Sequence, residues 1–303
     1  TREERLRLRG RLGSHRFGRH PTLAMRREHL AVPVQLHQQV HRVGTDVEYP
    51  EPHAPSLSRY RPGGVRWRAG GARAAACAAE ALAGVGFDWL LIDGEHGPND
   101  IPTILQQVQA IGSRTSIVVR PPVGEVRLVK QLLDLGVQTL LIPMVETAEH
   151  AAQMIKAMLY PPPGIRGVGA SVARASDYGR IADYIATAND QTCLILQIES
   201  RAGLAALPEI LKLDGVDGVF IGPADLAADM GYPGNMNAPE VQDTIDATLK
   251  AIIASGKSAG ILTFDPKTAA RYQAMGVTFL GVGGDVAILT KAATALAAGV
   301  KAD

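Results

Sequence analysis

Cysteine is nearly missing from this chain: Cys77 and Cys193 are the whole complement in 303 residues. Two thiols so far apart make neither a disulfide framework nor a zinc-ligand spacing, and they suit a reducing cytoplasm. Long apolar runs are missing too. No uncharged stretch approaches the ~18 residues that span a bilayer, and the arginine-rich start has no apolar segment of the kind a secretory leader carries. Neither sign of charge is in excess, since 31 Lys+Arg against 30 Asp+Glu leave a formal net charge of +1. That balance gives no overall push toward nucleic acid or an anionic membrane. The expectation is a cytoplasmic protein with neither as partner.

Lysine is absent until Lys130, and this absence marks a change of character. Residues 1–73 hold 15 arginines and six of the eight histidines. Little there is periodic, and Pro50, Pro52, Pro55 and Pro62 interrupt it. The segment 1–77 is therefore read apart from 78–303. It is a solvated, disordered extension, a basic arm for nucleic acid, or the product of a shifted frame, because Arg, Pro, His, Ala and Gly are what displaced GC-rich codons encode.

From Ala78 onward short β-branched runs alternate with amphipathic stretches. Strands are expected at Phe87–Ile92, Ser116–Arg120, Thr139–Ile142, Cys193–Ile198, Gly218–Ile221, Ser258–Leu262 and Thr278–Val282. Helices are expected at Pro98–Ile111, Glu125–Leu135, Ala148–Leu159, Gly203–Leu211, Val241–Ala254, Pro266–Met275 and Val286–Ala297. Apolar strands of four to six residues belong to a parallel sheet covered on both faces. Seven consecutive βα units predict a (β/α)₈ barrel, a fold of about 250 residues, whose first strand is aberrant or missing. Gly63–Ala76 does not read as that strand, and Leu30–Val34, the one candidate upstream, is too distant for a normal βα connection.

Barrel active sites are built where the strands end. Four of the expected strands end in groups suited to acid–base or metal chemistry: Asp93-Gly94-Glu95-His96, Arg120, Gln197-Ile198-Glu199 and Gly222-Pro223-Ala224-Asp225. Each has a plainer role open to it. Asp93 can cap a turn, Glu199 and Asp225 can cap helices, and His96 and Arg120 can be surface residues. Their convergence on one end of a barrel favours the chemical role. Glu199 and Asp225 form a hard oxygen pair for Mg²⁺ or Mn²⁺, which can chelate a 2-oxo acid and stabilise its enolate. The turn Gly222–Asp225 offers backbone N–H groups to a substrate carboxylate. Arg120 would complement an oxyanion, His96 would move a proton, and Asp93 would orient the ring. A Schiff-base mechanism needs a lysine at a strand end, and Lys257 begins its strand instead.

The stretches GFDWLLIDGEHGPND (86–100), VVRPP (118–122), QLLDLGVQTLLIPMVETAEHA (131–151), YPPPGIRGVG (160–169), QIESRAGL (197–204) and VDGVFIGPADLAADMGYPGN (216–235) resemble the HpcH/HpaI aldolase family. The resemblance covers about three quarters of the chain, from Ala78 to the C-terminus, and departs at residues 1–77. It implies a divalent metal (Mg²⁺, Mn²⁺ or Co²⁺) on Glu199 and Asp225, and substrate held also by Gln197 and the backbone of Ala224. It implies His96 as proton acceptor, Arg120 as transition-state stabiliser, Asp134 as the carboxylate that raises the basicity of the histidine, and Asp93 as a second one beside it. It further implies a hexamer with the last helix on a neighbouring subunit. The expected reaction is reversible retro-aldol cleavage of 4-hydroxy-2-oxoheptane-1,7-dioate to pyruvate and succinic semialdehyde. A 2-keto-3-deoxy sugar acid such as the rhamnonate or glucarate is the alternative substrate. A nucleic-acid-binding scaffold and a lyase acting on a thioester are the alternatives of other kinds. The loop Pro161–Gly169 and Leu262 are expected near the aldehyde, with Arg166 as a contact to a distal carboxylate or an anchor of its loop.

Overall fold

The computed structural model describes residues 68–71 and 76–301, of which the strand at 68–71 and residue 301 are described by backbone alone. Leu30–Val34 lies outside these residues. Eight parallel strands follow one another around a single sheet. They are β1 (Arg68–Gly71), β2 (Trp89–Asp93), β3 (Ser116–Arg120), β4 (Thr139–Ile142), β5 (Cys193–Ile198), β6 (Gly218–Ile221), β7 (Ser258–Leu262) and β8 (Phe279–Gly281). The first and last strands approach each other, so the sheet curls into a barrel. Helices alternate with the strands: α1 (Ala76–Ala83), α2 (Ile101–Ile111), α3 (Val126–Asp134), α4 (Ala148–Met158), the single turn α5 (Tyr184–Thr187), α6 (Arg201–Ile210), α7 (Pro223–Asp229), α8 (Pro239–Ala254), α9 (Pro266–Met275) and α10 (Asp285–Lys301).

Five strands, β3 to β7, occupy the residues expected of them. The start of α2 differs by three residues. Asp100, not Pro98, opens that helix, its carboxylate accepting the Thr103 N–H at 2.9 Å in a capping box. The first strand is aberrant, as expected, but its place is not: it lies inside Gly63–Ala76 and ahead of residue 78, because its sequence RAGG carries no apolar run and only its backbone pairing with β2, from Arg68 opposite Trp89 to Gly71 opposite Ile92, marks it as a strand.

Successive side chains on a strand face opposite sides, and that alternation sorts the core in two. Leu90, Ile92, Val119, Leu140, Leu194, Leu196, Val219 and Ile221 face outward and pack under the helices. Trp89, Leu91, Val118, Leu141, Cys193, Ile195, Phe220 and Phe279 face inward and fill the barrel, with Leu262 packed against them. The rings of Trp89 and Phe279 stack with centroids 3.7 Å apart, and Phe220 meets Phe279 edge-on at 6.0 Å. Gly260 makes room for them, because a Cβ there would lie 2.6 Å from the Phe220 ring and 3.0 Å from that of Phe279.

Candidate active site

Continuing the inward alternation by two or four residues lands on the polar groups read from the sequence. Asp93 follows Trp89 and Leu91, Arg120 follows Val118, and Gln197 and Glu199 follow Cys193 and Ile195. The charged cluster is thus the top layer of the barrel filling.

Asp93 and Arg120 are register partners on neighbouring strands. Arg120 donates from Nε to Asp93 Oδ1 at 2.9 Å and from Nη2 to Oδ2 at 2.6 Å, a two-pronged pair. Asp93 Oδ1 also receives the backbone N–H groups of Glu95 at 3.0 Å and His96 at 3.4 Å. Burial opposes the charge of Asp93, but the Arg120 guanidinium and these N–H groups together outweigh it and hold the carboxyl below its ordinary range. Asp93 therefore serves as turn cap and arginine anchor at once, and it grips the backbone of His96. The remaining arm of Arg120, Nη1, meets Glu95 Oε2 at 2.7 Å and reaches Gln197 Oε1 across the barrel at 3.4 Å. The sequence alone gives Glu95 no separate role, although it stands in the same DGEH run.

Glu199 is 3% exposed. Its Oε1 accepts the Met144 N–H at 2.9 Å, and its Oε2 accepts from Gln197 Nε2. Burial pushes its carboxyl up. The Met144 and Gln197 hydrogen bonds oppose that rise, and the charges of Glu95 and Asp225 add to it. Met144 takes a φ of +50°, a region a non-glycine residue seldom enters, and nothing in the sequence signals it. Neither helix-cap alternative holds: Ser200 caps α6, while Asp225 sits inside the first turn of α7, whose N-cap is Gly222. Gly222 has no room for a side chain, since a Cβ would lie 2.2 Å from Glu199 Oε2.

The residues present suit a divalent cation. Among the described residues Glu199 has no lysine or arginine within ion-pair distance, so a bound cation would offset the cost of ionising it in a buried place, and Asp225 is near enough to feel its charge. Both offer hard oxygen donors, with open positions for water or substrate. Groups of three or more metal-binding side chains are not found among the described residues.

Three expectations take a different place. Asp134 is not brought to His96 within the chain. It ends α3, which runs back down the barrel, and its Oδ1 pairs with Arg166 Nη2 at 2.9 Å. Arg166 is 2% exposed, bonds the Tyr184 hydroxyl at 3.1 Å and lies 4.4 Å from the Tyr160 ring centroid, so it anchors its loop. The whole loop Pro161–Gly169 follows α4 and sits where the strands begin, opposite the charged mouth; it cannot line an aldehyde pocket in its own chain. Leu262, at the end of β7, does lie at the mouth. Lys257 Nζ donates to the carbonyls of Leu213 at 2.9 Å and Val216 at 2.8 Å, just before the start of β7.

The family described as HpcH/HpaI aldolase/citrate lyase matches residues 71–292. A hydroxypyruvate/pyruvate aldolase of Deinococcus radiodurans is 54% identical over 74% of this chain and 81% of its own length. A 4-hydroxy-2-oxo-heptane-1,7-dioate aldolase of Escherichia coli is 54% identical over 73% of this chain and 85% of its own. Among solved structures, an HpcH/HpaI aldolase/citrate lyase family protein of Burkholderia cenocepacia J2315 superposes with a TM-score of 0.75 at 36% identity, covering 78% of this chain and 95% of its own.

Proposed function

Since the chain belongs to the HpcH/HpaI aldolase/citrate lyase family, and is accordingly a carbon–carbon lyase, we propose that it reversibly cleaves a 4-hydroxy-2-oxo acid to pyruvate and an aldehyde with the help of a divalent metal. The observation that carries this reading is the single charged layer formed by Asp93, Glu95, Arg120, Gln197 and Glu199 above an apolar barrel filling. Glu199 and Asp225 would hold the metal, which when bound supplies Lewis-acid polarisation of the 2-oxo group. Gln197 and the backbone N–H of Ala224, at the free start of α7, would take the substrate carboxylate. Arg120, locked by Asp93, presents a guanidinium that needs no reorganisation when negative charge develops on the oxo oxygen. His96, 65% exposed at the rim, is free to receive and return the proton of the hydroxyl being cleaved.

The relatives' names divide the substrate question. The 1,7-dioate with succinic semialdehyde as product is one reading. Hydroxypyruvate in place of pyruvate is the other, supported by relatives in Deinococcus radiodurans and Roseovarius nubinhibens. A homo-oligomer, a hexamer by family likeness, belongs to the same proposal. It is supported by the uncovered apolar side chains of α10, among them Leu289 at 69% and Leu296 at 71% exposure.

The test is pyruvate and hydroxypyruvate release from a panel of 4-hydroxy-2-oxo acids, with and without chelator. Cleavage that stops on metal removal and returns with Mg²⁺, Mn²⁺ or Co²⁺ is expected. Full activity after exhaustive chelation would sink the mechanism. Glu199→Ala and Asp225→Ala are expected to lose metal binding, whereas His96→Ala keeps it and loses turnover.

A further inference from the structure

Resting on that aldolase reading, we propose that Glu95 is the positioning residue that fixes His96 and Arg120 relative to each other. One oxygen does both jobs. Glu95 Oε2 lies 2.7 Å from Arg120 Nη1 and 3.7 Å from His96 Nε2. No other carboxylate among the described residues comes within ion-pair distance of that imidazole. Asp93 is spent on the guanidinium and on backbone N–H groups, and Asp134 of the same chain pairs with Arg166 at the other end of the barrel.

The local backbone is built to allow this. Glu95 and His96 are adjacent, and in an extended strand their side chains would diverge. The chain instead turns at the end of β2. Gly94 N–H bonds the Arg120 carbonyl at 2.7 Å, and Asn99 Nδ2 bonds the Asp93 carbonyl at 2.7 Å. A Cβ at position 94 would lie 2.9 Å from the same Arg120 oxygen, so glycine permits the close approach. The result brings the Glu95 carboxylate against Arg120 on one side and within 3.7 Å of the His96 ring on the other.

Stability alone does not call for this arrangement. Arg120 is already paired two-pronged by Asp93, so a second carboxylate, 15% exposed, adds a desolvated negative charge that the arginine cannot fully neutralise. Burial and the charges of Asp93 and Asp225 raise its proton affinity, against Arg120 and His96. The uncompensated charge faces the imidazole. A cation formed there during proton transfer is stabilised through space across that 3.7 Å gap.

The experiment compares wild type, Glu95→Gln, Glu95→Asp and Asp134→Asn. It measures retro-aldol kcat and KM, exchange of pyruvate methyl protons into deuterated water by NMR, Mn²⁺ affinity, and thermal stability. We expect Glu95→Gln to lower both the kcat and the exchange rate by about tenfold or more. KM, Mn²⁺ affinity and Tm should stay near wild type, and Glu95→Asp, which keeps the charge, should recover part of the rate. Wild-type rates in Glu95→Gln overturn the proposal. So does a rate loss that merely follows lost metal affinity or lost stability, and so does a loss confined to Asp134→Asn. A wild-type chain that neither cleaves nor exchanges sinks the aldolase reading itself, and this inference with it.

Discussion

At the scale of single residues, Gly222 and Glu199 show how tightly the charged layer is fitted. A methyl at position 222 would collide with the Glu199 carboxylate, not with the end of a compliant side chain in solvent. Gly222→Ala is expected to cost about 1–3 kcal/mol of stability and to weaken divalent binding by roughly 10–100-fold, read by chemical denaturation and metal titration. The two acids at strand ends also carry opposite pH signatures. The Asp93 carboxyl is held low, so its contribution to stability is present above its unfolded value of about 3.9 and is lost as pH falls through the folded value. The Glu199 carboxyl is held high, so the native state keeps a proton that the unfolded chain has released. Stability then declines as pH climbs from about 4.3 through the folded value. In the presence of chelator, Glu199→Gln is expected to abolish that decline and to be more stable than wild type at neutral pH. A denaturation series across pH checks it; an unchanged pH profile would remove Glu199 as its source.

At the scale of elements, strand direction made the site legible. WLLID, SIVVR and CLILQI all run to the same end of a parallel barrel, so Asp93, Arg120, Gln197 and the following Glu199 are assigned to one mouth from sequence. What stayed hidden belongs to the return path. The segment between α4 and β5 is polar, proline-bearing and rich in single turns, and nothing in its composition tells which end of the barrel it covers. The antiparallel run of α4 decides that, and it carries Arg166 away from the mouth. Asp134 was likewise read from a motif, and the direction of α3 sets its place. The interior packing of β7 offers a test at this scale. Gly260→Val would push branched carbons into Phe220 and Phe279, and it is expected to destabilise the barrel by about 1–3 kcal/mol or more. Loss of near-ultraviolet signal from the Trp89–Phe279 stack before loss of helical signal would accompany it.

At the scale of the whole molecule, α10 stands out. Val286, Leu289, Leu296 and Val300 recur at helical spacing along one side of it, all of them exposed. Such a stripe is costly to leave in water and is expected to be covered by association. Leu289→Glu combined with Leu296→Glu should lower the mass seen by sedimentation without unfolding the barrel; an unchanged mass would leave the stripe without that role. None of the helices among the described residues is long and apolar enough to cross a membrane.

The first strand carries a consequence of its own. RAGG brings one methyl group and two bare α-carbons to a position where its neighbours bring tryptophan, leucine and isoleucine. Its described tie to β2 is the backbone ladder, whose peptide groups water can replace. In a hydrogen–deuterium exchange experiment the amides of Arg68–Gly71 should label well before those of β5. The barrel would then breathe along this one seam, beside Asp93, while the staves bearing Glu199 stay shut.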